Sequence, residues 1–157
     1  MRIVIEDDIK LYENDLDTVI YIEHENTFFP CRQWIDFAYI LLDEWKTDII
    51  GIQHLSNGKV SCYFHEGSYR IDIIKDVSNY VTVKCIDFGL NTKSYIDGNV
   101  MLEMKIEYMT LVRELYNATK IFSKILYKNN LDVGKYSHIY RRANEMVKEL
   151  KLFLEAN

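Results

Sequence analysis

The single proline, Pro30, separates two opposite kinds of pattern, and that boundary constrains the fold more than any other feature of the chain. On its N-terminal side, Ile3 and Ile5 and then Val19, Ile20, Tyr21 and Ile22 lie in short β-rich runs. The polar stretch Asp7 to Asp17 separates them, with Asn14-Asp15 as turn chemistry, so the pattern predicts two strands. The proline ring fixes its own φ and disfavours helix for Phe29, which ends the extended segment. Beyond it, Trp34, Phe37, Ala38, Leu41, Leu42 and Trp45 recur at three- and four-residue steps, while Arg32, Gln33, Asp36, Asp43, Glu44 and Lys46 occupy the remainder. That spacing predicts an amphipathic helix over 32–46. A fully buried large side chain is worth roughly 1.5 to 3 kcal/mol, which places Trp34→Ala among the most damaging expected substitutions.

The middle of the chain changes period. Asn57-Gly58 marks a turn, after which Val60, Cys62 and Phe64 alternate with Ser61, Tyr63 and His65. Gly67-Ser68 marks another, followed by Tyr69, Ile71 and Ile73 alternating with Arg70 and Asp72; Val81, Val83 and Cys85 continue the rhythm. This is a meander with one dry face. Residues 99–107 fit strand alternation through Val100, Leu102, Met104 and Ile106, introduced by Asp97-Gly98, although one continuous helix over 99–128 also satisfies part of the pattern. We read a strand to about 107, then a helix over 110–128 capped by Thr110 and carrying Leu111, Leu115, Ala118, Phe122, Ile125 and Leu126. A last helix over 135–155 aligns Tyr136, Ile139, Tyr140, Ala143, Met146, Val147, Leu150, Phe153 and Leu154. The expected fold is one α+β domain over residues 1–157: an antiparallel sheet of about five or six strands with three helices packed on it.

The 157 residues are enough to bury roughly 70% of the surface the unfolded chain would expose. The start of the chain lacks the apolar core of a secretory signal, and no apolar run approaches the roughly 18 residues of a membrane span, so a cytoplasmic location is expected. Cys31, Cys62 and Cys85 are odd in number and form no Cys-x-x-Cys pair, which argues for reduced thiols rather than disulfides or a zinc site. Cys62 and Cys85 point inward by alternation; Cys31, just ahead of the predicted helix, is the only thiol placed for reactivity, with filling of the Pro30 corner as the structural alternative.

Catalytic chemistry finds little purchase. His65-Glu66 begins like a His-Glu-x-x-His metal helix, but Tyr69 stands where the second histidine belongs. A small hydrolase built on His24, His65 and Glu66 requires those groups to converge in space. The six glycines are scattered as turn residues, so no phosphate-binding loop is present and no cofactor is expected. Nucleic-acid binding calls for a basic face, whereas this chain is acidic overall, and Lys135, Arg141, Arg142, Lys148 and Lys151 read as the wet side of the last helix.

Charge is uneven along the chain. Residues 1–50 hold twelve acids against four bases, and residues 51–157 hold twelve against fifteen. Clustered charge of one sign steers association with complementary surfaces.

The set Phe29-Pro30, Trp34, Asp36-Phe37, Leu41-Leu42 and Trp45, followed by Phe64, Glu66-Gly67-Ser68-Tyr69, Ile71, Ile73, Val81, Val83 and Cys85, resembles small bacterial immunity-type proteins. Those families pair a Phe-Pro…Trp-x-Asp-Phe helix with a Phe…Asp-Gly-Pro-Tyr hairpin and neutralise a toxin domain encoded beside them. The likeness spans about residues 28 to 86, with Glu66 and Ser68 where the pattern has Asp and Pro. It implies a non-catalytic antitoxin that occludes its target. An acidic first third suits a basic toxin or effector domain, and Asp7, Asp8, Glu13, Asp15, Asp17, Asp43, Glu44 and Asp48 are the candidate partner-binding charges. Tyr12 is the candidate anchor, because Tyr is enriched at interface hot spots. The competing expectation is an accessory protein that self-associates through an outer sheet face carrying Tyr63, Arg70 and Tyr80.

Overall fold

The computed structural model describes residues 1–13, 15–89 and 98–157. The turn roles assigned to Asn14 and Asp97 lie outside the described residues. Arg2–Leu11 (β1) and Leu16–His24 (β2) pair antiparallel, with Ile3 opposite Ile22 and Ile5 opposite Ile20, so both isoleucine pairs face the core together. Two short strands occupy the other edge of β2: Thr27–Phe29 (β3) and Ile35–Asp36 (β4). A second sheet takes Gly58–Tyr63 (β5), Tyr69–Lys75 (β6), Tyr80–Asp87 (β7) and Asn99–Glu107 (β8) in sequence order, each antiparallel to the next.

The α+β class stands, with three helices packed on the sheets: Ala38–Gly51 (α1), Tyr108–Lys128 (α2) and Ser137–Ala156 (α3). The strands, however, form two sheets of four rather than one of five or six. Strands β3 and β4 occupy the edge of β2 away from β1, so the meander does not continue the sheet on that side. Helix α1 packs on β5 and β2, α2 on β1 and β8, and α3 lies on α2 and α1; one continuous core results. No helix among the described residues is long and apolar enough to cross a membrane.

The predicted helix over 32–46 is the main correction. Gln33 has φ of 63°, a left-handed conformation that interrupts any right-handed helix. Ile35 and Asp36 pair with Val19 and Thr18, and the Ile20 amide donates to the Trp34 carbonyl at 2.8 Å. The helix therefore begins only after Phe37, whose carbonyl accepts from the Ile40 and Leu41 amides, and it runs on to Gly51. Trp34 consequently sits half-buried outside the helix, edge-on to Tyr69 at 5.0 Å, whereas Trp45 is 1% exposed at the centre of the core.

Residues 99–107 do form a strand, which puts Met104 opposite Val83 and Ile106 opposite Val81 on the dry face of the sheet. Helix α2 starts two residues earlier than expected, with Glu107 in extended conformation before it; Thr110 is inside the first turn and does not cap it. Buried Tyr108 opens that helix, donates its hydroxyl to the Ile49 carbonyl at 2.8 Å, and is pushed up to about 12 by burial. The last helix begins at Ser137, after a short 3-10 turn over Gly134–Tyr136.

Candidate protein-interaction surface

The acidic residues of the first third separate by what they touch. Asp7, on β1, accepts from the Nζ of Lys128 and from Asn129 at the end of α2, and those hydrogen bonds draw its carboxyl below the usual range. Asp43 is committed within the fold. Arg142 reaches it from α3 with two nitrogens, at 2.9 and 2.6 Å, and the Nζ of Lys46 adds a third contact at 3.1 Å. Burial raises the Asp43 carboxyl, but these cationic donors outweigh it and the net shift is downward. Both carboxylates hold helices in place. Arg142, read from sequence as part of a wet helix face, is the strut of this network, also bonding Glu145 and Glu149.

Of the remaining charges, Asp15, Glu44 and Asp48 are linked by their contacts to Tyr12, Tyr39, His65 and Glu66. Asp8 and Glu13 are exposed on β1 and at the turn that follows it. The Tyr12 amide donates to the Asp15 carbonyl at 2.9 Å, and its own carbonyl accepts from the Tyr136 hydroxyl, which pins the turn to the start of α3. The Tyr12 ring is 49% exposed. Its hydroxyl is raised in pKa first by hydrogen bonding with Asp17, then by that carboxylate's charge, and also by the charge of Glu66. Glu66 thus brings the β5–β6 turn within electrostatic reach of the β1–β2 turn. Tyr39, at the start of α1, is raised by burial and then by Asp15, which ties the same turn to the helix.

Asp36 holds the centre of this region. It is fully buried and accepts from the Phe37 amide at 2.8 Å, the Glu66 amide at 3.1 Å and the Trp34 indole at 3.3 Å. Burial raises its carboxyl despite those donors. One side chain therefore fixes the start of α1, the Trp34 ring and the hairpin turn relative to one another. Gly67 completes the turn with φ of 78°; a Cβ there would meet the Tyr69 ring at 2.8 Å and Trp34 at 3.0 Å.

From the turn the band continues along α1. His65 contacts Glu44 at 3.0 Å, and Asp48, one helical turn on, is raised by burial and then by the Glu44 charge. A shallow depression of about 300 Å³ between α1 and β5 is lined by Asp43, Glu44, Thr47, Asp48, Ser61, Cys62 and Tyr63, with the Tyr63 ring 41% exposed at its rim. Asp17 is 8% exposed, and its Oδ1 is the one buried side-chain oxygen among the described residues without a hydrogen-bond partner. The outcome is a strip running Asp15, Tyr12, Glu66, Glu44, Asp48 and Tyr63 across three chain segments.

Glu66 and Tyr63, which the sequence suggests only for the alternative hydrolase and self-association readings, lie beside His65 and the Glu44 side of α1. The available signal was the hairpin itself: a turn following a helix packed on the same strand must present its tip beside that helix. The self-association face does not hold as drawn, because Arg70 is 3% exposed, bonds Asp72 at 3.0 Å and lies over the Phe88 ring. Nor do the histidines share a carboxylate: the acid beside His24 is Glu25, at 3.8 Å, and that beside His65 is Glu44. No group of three or more His, Cys, Asp or Glu side chains suited to a metal occurs among the described residues. Cys62 and Cys85 are buried, with thiols raised by that burial, to about 12 for Cys85. Cys31 is exposed, so it does not fill the Pro30 corner, and it stands seven positions before α1, beyond the reach of the helix dipole. Compared with family models, curated proteins and solved structures, the chain matches none.

Proposed function

We propose that this chain is a non-catalytic protein-binding module, an immunity-type inhibitor that covers a basic surface of a toxin or effector domain. The observation that carries the reading is the strip from Asp15 to Tyr63, in which exposed Glu44 and Glu66 and part-buried Asp15 and Asp48 lie between and beside the exposed rings of Tyr12 and Tyr63. Its chemistry suits such a target. Its carboxylates steer a cationic partner and fix its register, and partly exposed rings beside them provide the contact area from which binding energy comes. Rigidity adds to this, since Asp36, Gly67 and the Tyr136 contact hold the contributing segments before a partner arrives, and preorganisation lowers the cost of association.

The test is affinity capture from the source cell followed by reconstitution with the purified partner. A stoichiometric complex whose association rate falls as salt rises supports the reading. Failure to recover any stoichiometric partner, or a complex indifferent to salt, removes it.

A further inference from the structure

Strand β1 has a neighbour on one side only among the described residues, and the groove along its open edge points to an occupant. The groove, about 460 Å³, runs between β1 and α2, lined by Arg2, Ile3, Val4 and Ile5 and by Glu114, Asn117, Lys120, Ile121 and Lys124. Ile121 is 43% exposed there. The regular part of β1 ends at Glu6, where a bulge breaks register with β2. An unpaired edge of this kind is a template for a further strand.

The charges around the groove are arranged in a self-complementary way. Arg2 bonds Glu23 of β2 and shares the groove with Glu114, whose charge also acts on it, at one end of β1, and Lys128 pairs with Asp7 at the other, so β1 and α2 run in the same direction. Five strand residues span roughly 17 Å and fourteen helical residues roughly 21 Å, which places Val4 level with about Thr119. Val4 is also midway between Arg2 and Glu6, and Thr119 midway between Glu114 and Lys124. A single two-fold axis near Val4 therefore brings the basic groups at both ends of the groove, Arg2 and Lys124, against acidic groups of the other copy, and leaves Lys120 opposite Ala118. Arg2 meets Glu6 of the second copy, Glu114 meets Lys124, and Ile3 pairs with Ile5.

We propose that β1 pairs antiparallel with β1 of a second copy of this chain, joining two four-stranded sheets into one of eight, with the flanks of α2 closing over the seam. Such an isologous contact uses one patch twice. It shares no residue with the strip proposed for the basic partner, so the dimer leaves that strip open.

Sedimentation velocity of the purified chain, from low micromolar to several hundred micromolar, tests it. The wild-type chain is expected to form a reversible dimer. Glu114→Lys and Lys124→Glu are each expected to weaken it by roughly tenfold, since two exposed attractions become two repulsions. An equimolar mixture of the two variants is expected to recover wild-type affinity, because both contacts across the axis are then attractive again. The two positions are ten residues apart, roughly 15 Å along the helix, so no contact within one chain produces that recovery. A monomer throughout the range, or a mixture as weak as either variant alone, overturns the proposal.

Discussion

Replacing Trp45 with alanine should be far more costly than the same change at Trp34, although the two residues frame one apolar stripe in the sequence. Trp45 is 1% exposed, packs edge-on against Phe64 at 5.2 Å and donates its indole N–H to the Tyr63 carbonyl at 3.2 Å. Truncation leaves a cavity that α1 and β5 cannot close, and it orphans that carbonyl. Large-to-small changes of this kind cost about 3 to 5 kcal/mol, a large part of the roughly 5 to 15 kcal/mol of a typical domain. Trp34 is half-buried, with Tyr69 on one side and solvent on the other. Water fills the vacated space, and the expected loss falls to about 1 to 2 kcal/mol. Urea unfolding followed by circular dichroism at 222 nm gives both values from the midpoint and slope. A Trp34→Ala loss equal to or greater than that of Trp45→Ala would refute the placement of the helix start at Ala38.

Asp36→Ala removes the acceptor shared by the Trp34 indole and the Phe37 and Glu66 amides, and should cost about 2 kcal/mol or more in a thermal melt. For Asp43, whose carboxyl is lower in the folded chain than in the unfolded one, the ion-pair contribution is present above the ordinary carboxylate value and is lost as pH falls through the depressed one. Asp43→Asn should accordingly flatten the acid limb of a stability-against-pH curve below about pH 4, and an unchanged limb would count against the network. With an aromatic disulfide reagent the folded chain should release one equivalent of thiol, from exposed Cys31, and three after unfolding. Rapid reaction of three thiols in the folded state would contradict the burial of Cys62 and Cys85.

The meander was legible because alternation is a direct consequence of the pleat: Cys62, Ile71, Val83 and Met104 sit on the dry face as their period requires. The same rule favours strand over helix for residues 99–107, which form β8. The start of α1 was not legible, since Trp34 and Phe37 continue the helical spacing backwards by coincidence. What overrides that spacing is tertiary: pairing of Ile35 and Asp36 with β2, and a buried carboxylate collecting donors from a turn thirty residues away. The proposed docking strip was legible in sign but not in membership. Sequence separates acids from bases, yet only packing reveals that Asp7 and Asp43 are neutralised from α2 and α3, while Glu66 and Tyr63 are carried beside Glu44 by a hairpin.

Exposed Glu44 and Glu66 and part-buried Asp48, beside Tyr12 and Tyr63, are the proposed contacts for a basic protein. The most direct measurement is the affinity of the captured partner for the chain carrying Glu44→Lys, Asp48→Lys and Glu66→Lys together, beside a control with Glu103→Lys and Glu155→Lys, two exposed acids outside the strip. Binding reduced by about a hundredfold or more in the first variant, and within about threefold of wild type in the second, is the predicted result. Equal losses in both, or none in either, would contradict it.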